Sequence, residues 1–241
     1  MIDGHDLLLD EGDSLALASG SYEPEEASWY ARTVNPGDLV VELGANIGYF
    51  SLLLARAAGP TGRVISYEPD PDLSRILDRN ATANGYTNID IRTAAVADRT
   101  GTMTYYRDRK NTGDNRLFTH GRDRDSFSVP VVTLDEDLGE LDQRIDLVKM
   151  DIQGAEPLAL DGMAGLLAER PPSRMLIEFW PHGILGMDRD PRGVLETLRQ
   201  AGYRITKLDE DTELDFDSAL REMTAENQRW TNLVCVRETA V

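Results

Sequence analysis

The 241-residue sequence predicts a doubly wound α/β sheet, and three observations carry that expectation. Short apolar runs without alternation recur along the chain, as they do in strands buried on both faces of a parallel sheet. Stretches with helical spacing stand between these runs, the order that builds such sheets. Several runs end in an acid, Glu42, Glu68 and Asp151 among them, which gathers carboxylates at the strands' carboxyl ends. There are no internal repeats and no composition shift that marks a second domain, and a chain of this length can bury a full core as one domain.

Composition narrows the function. A hydrophobic fraction of 41% fits a soluble globule, while a formal charge of -18 opposes partners such as nucleic acid and anionic membranes. The one cysteine, Cys235, lies in the apolar run Leu233-Val234-Cys235-Val236, where a small buried hydrophobe is expected rather than a nucleophile. One thiol allows neither a disulfide framework nor a cysteine zinc site. The N-terminus lacks a basic leader region, and no apolar run is long enough to span a bilayer, so the cytoplasm is the expected location.

Taken in order, residues 1–24 show little periodicity and are expected to form an extended arm ahead of a domain covering 25–241. Pro24 and the acids after it, with Arg32 behind, suit a short helix and its dipole. Trp29 and Tyr30 on it are expected to pack on the core. Asn35-Pro36-Gly37-Asp38 turns into a first strand, Leu39-Val40-Val41, which ends at Glu42. Gly44-Ala45-Asn46 then leads into a helix over 47–55. A second strand, 63–68, ends in Glu68, and Pro69 stops the ladder. A helix over 70–84 and a third strand over 89–96 follow. Residues 102–106 and 129–134 are expected to pair with each other. Between them, 107–128 forms a long irregular loop, a candidate substrate lid. A fourth strong strand, 145–151, ends in Asp151, and a helical stretch to Glu169 is weakened by Gly162 and Gly165. Strands at 174–180, 203–208 and 232–237, with a helix over 190–201 stopped by Gly202, complete seven strands.

The Gly-rich turn is the chemical focus. A dinucleotide fingerprint needs glycines at its first, third and sixth places, and here they are Gly44, Asn46 and Tyr49, which disfavours a nicotinamide enzyme. Glu42 ahead of Gly44 would repel a pyrophosphate but pairs well with an ammonium group. That favours S-adenosylmethionine, which is zwitterionic at its amino-acid end and carries no phosphate; a plain strand-to-helix turn is the alternative. Glu68, 24 residues beyond Gly44, is placed to accept hydrogen bonds from both ribose hydroxyls.

The runs NPGDLVVELGANIGYFSLLLA, GRVISYEPDP, VVTLDE, IDLVKMDIQGAE and MLIEFW, in this order over about residues 25–237, resemble the FkbM family of S-adenosylmethionine-dependent methyltransferases. The resemblance implies a Rossmann-like class I methyltransferase sheet of order 3-2-1-4-5-7-6 with its last strand antiparallel. It implies transfer of a methyl group to a hydroxyl of a small molecule or sugar in a biosynthetic pathway. It departs from the family pattern at Glu42, where Asp is common, and at Gln153, where Glu is usual. Carried over residue by residue, it places Glu42, Gly44, Asn46 and Gly48 at the methionine end. Glu68 falls at the ribose with Pro69 and Asp70 beside it, Ala95 and Val96 along the adenine, and Asp151 at the reactive end.

Removing the hydroxyl proton calls for a base. His182, after the fifth strand's carboxyl end, is the first candidate, with Glu178 and Asp151 next. The same three side chains are an alternative divalent-cation set; no metal is expected to be needed. N- or carboxyl-methylation and non-catalytic cofactor binding remain open as alternatives, and the acceptor and oligomeric state are not legible.

Overall fold

The structure is a computed structural model that describes residues 2–9, 22–119, 124–224 and 229–237. The chain forms α1 (Pro24–Thr33), β1 (Leu39–Leu43), α2 (Tyr49–Ala58), β2 (Arg63–Tyr67), α3 (Pro71–Ala83), β3 (Ile89–Arg92) and β4 (Ala95–Val96). Next come β5 (Gly101–Arg107), a 3-10 turn (Thr112–Asp114), β6 (Asp125–Val132), α4 (Leu134–Asp137), β7 (Leu147–Met150), α5 (Glu156–Asp161) and α6 (Ala164–Glu169). The last elements are β8 (Arg174–Phe179), α7 (Pro181–Gly186), α8 (Pro191–Gln200), β9 (Tyr203–Lys207), α9 (Phe216–Thr224) and β10 (Thr231–Arg237).

Seven of these strands form one sheet in the order β3-β2-β1-β7-β8-β10-β9. All its pairs are parallel except those of β10, which runs antiparallel to both β8 and β9. Numbered along the chain, this is the 3-2-1-4-5-7-6 order of a class I methyltransferase, with the last strand reversed. Its central strands β1 and β7 are buried throughout and mostly apolar because helices cover both faces. Val41, Leu43, Ile65, Tyr67, Val148 and Met150 pack toward the α4, α5, α6, α8 and α9 side. Their neighbours Val40, Val64, Leu147 and Leu176 pack toward α1, α2 and α3. Tyr30 of α1 sits in this second layer against Phe50, with ring centroids 5.4 Å apart. Cys235 is buried in the sheet, and burial pushes its thiol up.

Four boundaries differ from the sequence expectation. The strand expected over 129–134 runs from Asp125 to Val132 and takes up the last residues of the expected 107–128 loop, because it pairs with β5 along its length. The run 89–96 is not one strand: the backbone turns at Ala94, whose N–H donates to Arg92 O at 2.9 Å. β3 therefore stays in the main sheet, while β4 joins a separate three-stranded sheet of order β4-β6-β5. The helix expected from residue 47 starts at Tyr49, because Gly48 before it is left-handed at φ 90°. The stretch to Glu169 is two helices that part at Gly162 and Met163. β5 and β6 pair antiparallel, with Gly101 opposite Val131 and Arg107 opposite Asp125.

Near the N-terminus, Asn80 and Asn84 of the third helix region accept the N–H groups of Leu8 and Asp6 at 2.6 and 2.9 Å. Residues 10–21 of the expected arm, and His120 in the long loop, lie outside the described residues. Among the described residues no helix is long and apolar enough to cross a membrane.

Candidate active site

Parallel strands bring their carboxyl ends to one edge, and the turns that leave β1, β2 and β7 meet there. Gly44 N and Ala45 N donate to Tyr67 O at 3.0 and 3.1 Å, which fastens the first turn to β2. On its other side Gly44 runs against β7: a Cβ there would stand 1.9 Å from Asp151 O, and its φ is +83°. Only glycine fits both the conformation and the approach. Asn46 follows with φ 51°, and its N–H points at Glu68, donating to Oε2 at 2.8 Å.

A cavity of about 580 Å³, counting the part open to solvent, lies at this edge. Gly44, Asn46, Glu68, Pro69, Ala95, Val96 and Asp151 line it, as do Tyr105 of β5 and Asn115, Arg116 and Leu117 of the long loop. Seven of the residues placed by resemblance at the cofactor thus line one cavity.

The other three do not. Glu42 is fully buried beneath the turn, its Oε2 accepting from Ser51 Oγ at 2.5 Å and Ser66 Oγ at 2.9 Å. Gly48 heads α2 and backs onto Leu77 rather than the cavity. Asp70 caps α3 by accepting from Asp72 N at 2.9 Å, and Arg107 grips it from the far side through Nε at 2.6 Å and Nη2 at 2.5 Å. With both oxygens held, its side chain has no access to the cavity.

Glu68 is built to accept. Oε1 takes the Asp70 N–H and Oε2 the Asn46 N–H, each at 2.8 Å, which leaves each oxygen another lone pair. Burial pushes its carboxyl up to about 8, against the pull of those two backbone donors. A vicinal diol fits such a group, and the apolar stretch of Ala95, Val96, Tyr105 and Leu117 fits a flat ring. The residues present therefore suit S-adenosylmethionine.

At the β7 end stands a charged cluster. Gln153 Nε2 donates to Asp151 Oδ1 at 2.8 Å and to Glu178 Oε1 at 2.7 Å. Lys149, almost fully buried, lies 3.5 Å from Asp151 Oδ2 and donates to Gly44 O at 3.3 Å. Burial opposes its charge, yet Asp151, Glu42, Glu26 and Glu23 more than offset that and raise its pKa. Glu178 goes the other way: burial, then Asp151, Glu156 and Glu23, hold its carboxyl well above the usual range. Glu156 fixes the turn between them, accepting from Ile152 N and Gly154 N at 3.2 Å each, and burial brings it to about 7.

Of the three candidate bases, only Asp151 lines the cavity. Glu178 reaches it through Gln153. His182 is exposed on α7, its ring 5.7 Å from that of Trp180, and does not line the cavity, because the helix that starts at Pro181 turns it outward. Among the described residues no three His, Cys, Asp or Glu side chains are grouped to hold a metal ion. Sequence reasoning passed over Lys149, although a charged residue in the apolar run Ile145 to Met150 was a legible signal. It also passed over Tyr105, Asn115, Arg116 and Leu117, whose positions depend on a hairpin and loop folding back over the sheet edge.

The fold and the cavity define a class I S-adenosylmethionine-dependent methyltransferase. The methyltransferase FkbM domain matches residues 42–205, and the chain belongs to that family. A protein-L-isoaspartate O-methyltransferase from Archaeoglobus fulgidus is 40% identical over 53 residues, 22% of this chain and 24% of that one. One from Methanococcus aeolicus is 33% identical over 61 residues, 25% and 28% of the two chains, so this chain spans about a quarter of these relatives. Among solved structures, the O-methyltransferase from Bacillus cereus in complex with S-adenosylhomocysteine superposes with a TM-score of 0.53 at 14% identity, over 90% and 83% of the chains. The S-adenosylmethionine-dependent O-methyltransferase from Thermotoga maritima gives 0.52 at 14%, over 95% and 71%. An rRNA methylase from Streptococcus thermophilus gives 0.50 at 11%, over 89% and 95%. At these identities the structural likeness establishes the fold.

Proposed function

We propose that this methyltransferase is an O-methyltransferase that acts on a hydroxyl of a small metabolite or sugar-containing molecule in a cytoplasmic biosynthetic pathway, with Asp151 as the base. The observation that carries this reading is the Asp151 carboxylate, which lines the cavity and is steadied by Gln153 and Lys149.

Glu68 holds the ribose, Pro69, Ala95 and Val96 flank the nucleoside, and Gly44 and Asn46 lie along the remaining length. Bound S-adenosylmethionine supplies a methyl group on positive sulfur, an electrophile that needs no metal. Asp151 accepts the proton as the hydroxyl oxygen bonds to the methyl carbon and the carbon–sulfur bond breaks. Glu178, whose carboxyl burial and Asp151 hold well above the usual range, meets Asp151 through Gln153 and is not the base in this reading. Arg116 lies over the rings of Phe118 and Trp180, 5.1 and 4.9 Å from their centroids, and ties the cavity-lining stretch 112–117 to Trp180 as a lid. The charge of -18 disfavours RNA and membrane partners and favours a small neutral or cationic acceptor.

The test is release of S-adenosylhomocysteine from S-adenosylmethionine in the presence of polyhydroxylated metabolites, an rRNA fragment or an isoaspartyl peptide. Turnover with a hydroxyl compound, lost in Asp151→Asn while S-adenosylhomocysteine still binds, supports the reading. Turnover with RNA or the peptide alone overturns it.

A further inference from the structure

Two buried side-chain polar atoms of the long loop make no hydrogen bond among the described residues, Asn115 Nδ2 and Thr119 Oγ1, and of the two residues Asn115 lines the cavity. Asn115 follows the 3-10 turn, just before Arg116, whose backbone pairs with Tyr106 through bonds of 2.8 and 3.1 Å. That pairing ties the loop to β5. Asn115 Oδ1 accepts the Asp108 N–H at 2.8 Å, which fixes which way the side-chain amide points. Its Nδ2 is consequently turned the other way, is buried, and makes no hydrogen bond among the described residues. The Tyr105 hydroxyl is near enough to feel the amide but is outside hydrogen-bonding geometry. Buried donors are rarely left this way, because an unmet N–H forfeits its hydration without return.

The location says what the donor is for. Asn115 lines the cavity together with Ala95, Val96, Tyr105 and Leu117, its apolar stretch. Tyr105, Leu117 and Ala95 also pack together in one cluster. A flat heteroaromatic ring in that stretch would present ring nitrogens as acceptors, which is the complement of an oriented N–H. We propose that Asn115 reads the adenine of the cofactor, Nδ2 donating a hydrogen bond to a ring nitrogen. The inference rests on the reading of the cavity as the S-adenosylmethionine site and adds a base contact supplied by the loop. The loop therefore does more than line the site: through Asn115 it supplies a contact to the nucleobase.

The test is calorimetric titration of the full-length protein with S-adenosylhomocysteine and with its 1-deaza, 3-deaza and 7-deaza analogues, each lacking one ring acceptor. It is repeated on Asn115→Asp above neutral pH, a variant that keeps the oxygen facing Asp108 N and removes the donor. One analogue is expected to bind the wild type about tenfold more weakly than S-adenosylhomocysteine, the size of one hydrogen bond. That gap closes in Asn115→Asp, which binds S-adenosylhomocysteine itself at least as weakly. If all three analogues bind the wild type as S-adenosylhomocysteine does, or if the gap persists in the variant, Asn115 does not read the base. The analogue series on the wild type decides this even if the variant folds poorly. Failure of S-adenosylhomocysteine to bind the folded wild type would overturn the cavity assignment along with the inference.

Discussion

Replacing Glu68 by Gln removes the acceptor on which the ribose assignment depends, with little change in volume. In the wild type each carboxylate oxygen accepts one backbone N–H at 2.8 Å and keeps a lone pair for a hydroxyl. The amide of Gln has one accepting oxygen. Its NH2 group faces the second backbone N–H, so at least one charge-assisted hydroxyl contact is lost. Such a contact is worth about 1.5–3 kcal/mol, or about 10- to 150-fold in affinity for S-adenosylhomocysteine. The pH dependence makes the prediction sharper. Burial holds the Glu68 carboxyl up to about 8, and hydroxyl donors favour its ionised form. Binding then strengthens as pH rises through that value, by roughly tenfold between about pH 7 and 9, and expels a proton below it. Gln cannot ionise, so Glu68→Gln should lose this rise while keeping any titration that belongs to the ligand's own amino group. Calorimetry in buffers of different ionisation enthalpy reads both affinity and proton release. An equal affinity and an unchanged pH profile, in a variant that melts like the wild type, would refute the ribose assignment.

Three further outcomes are expected. Lys149→Met removes the buried cation among Asp151, Glu42, Glu26 and Glu23 and should destabilise the fold by about 3–5 kcal/mol, read as a shift in urea midpoint; a change below about 1 kcal/mol would show that the carboxylates neutralise themselves. Gly44→Ala places a Cβ 1.9 Å from Asp151 O at a φ of +83° and should abolish S-adenosylhomocysteine binding or folding, whereas a variant that folds and binds normally would show that the turn is not held as described. Burial raises Glu68 and Glu23 to about 8 and Glu156 to about 7, while the unfolded chain ionises them near 4.5, so between these values the folded state binds more protons. Their contribution to stability is full below about pH 4.5 and is lost as pH rises through 7 to 8; thermal melts should therefore fall from pH 6 to 8.5, and a rise across that interval would contradict the assignment of these groups as buried and protonated.

Strand-forming runs and the turn at Gly44 were legible because buried parallel strands have a composition of their own, and the order of the main sheet followed from the family resemblance. The place of Glu68 at the cavity was legible as well, because an acid that ends a parallel strand stands at the sheet's carboxyl edge. The split at Ala94 was not, because a run that continues in hydropathy says nothing about which sheet receives it. α9 carries helical spacing at Phe216, Ala219, Leu220 and Met223, yet it sits in an acidic stretch that reads as loop. Asp70 and His182 misled for opposite reasons. Asp70 stands two residues after Glu68 in sequence, but Arg107, 37 positions later, claims both its oxygens. His182 follows the correct strand, but a proline-initiated helix carries it outward. The place of Asn115 at the cavity had no signal in sequence, since it depends on a loop that lies against an edge built from distant strands.

The most direct test of the account is the crystal structure of the protein with S-adenosylhomocysteine bound. The account predicts ribose hydroxyls on the Glu68 carboxylate, adenine between Ala95–Val96 and the Tyr105–Leu117 side with Asn115 Nδ2 on a ring nitrogen, and sulfur toward Asp151. A ligand seated elsewhere, or one whose ribose makes no contact with Glu68, would contradict it.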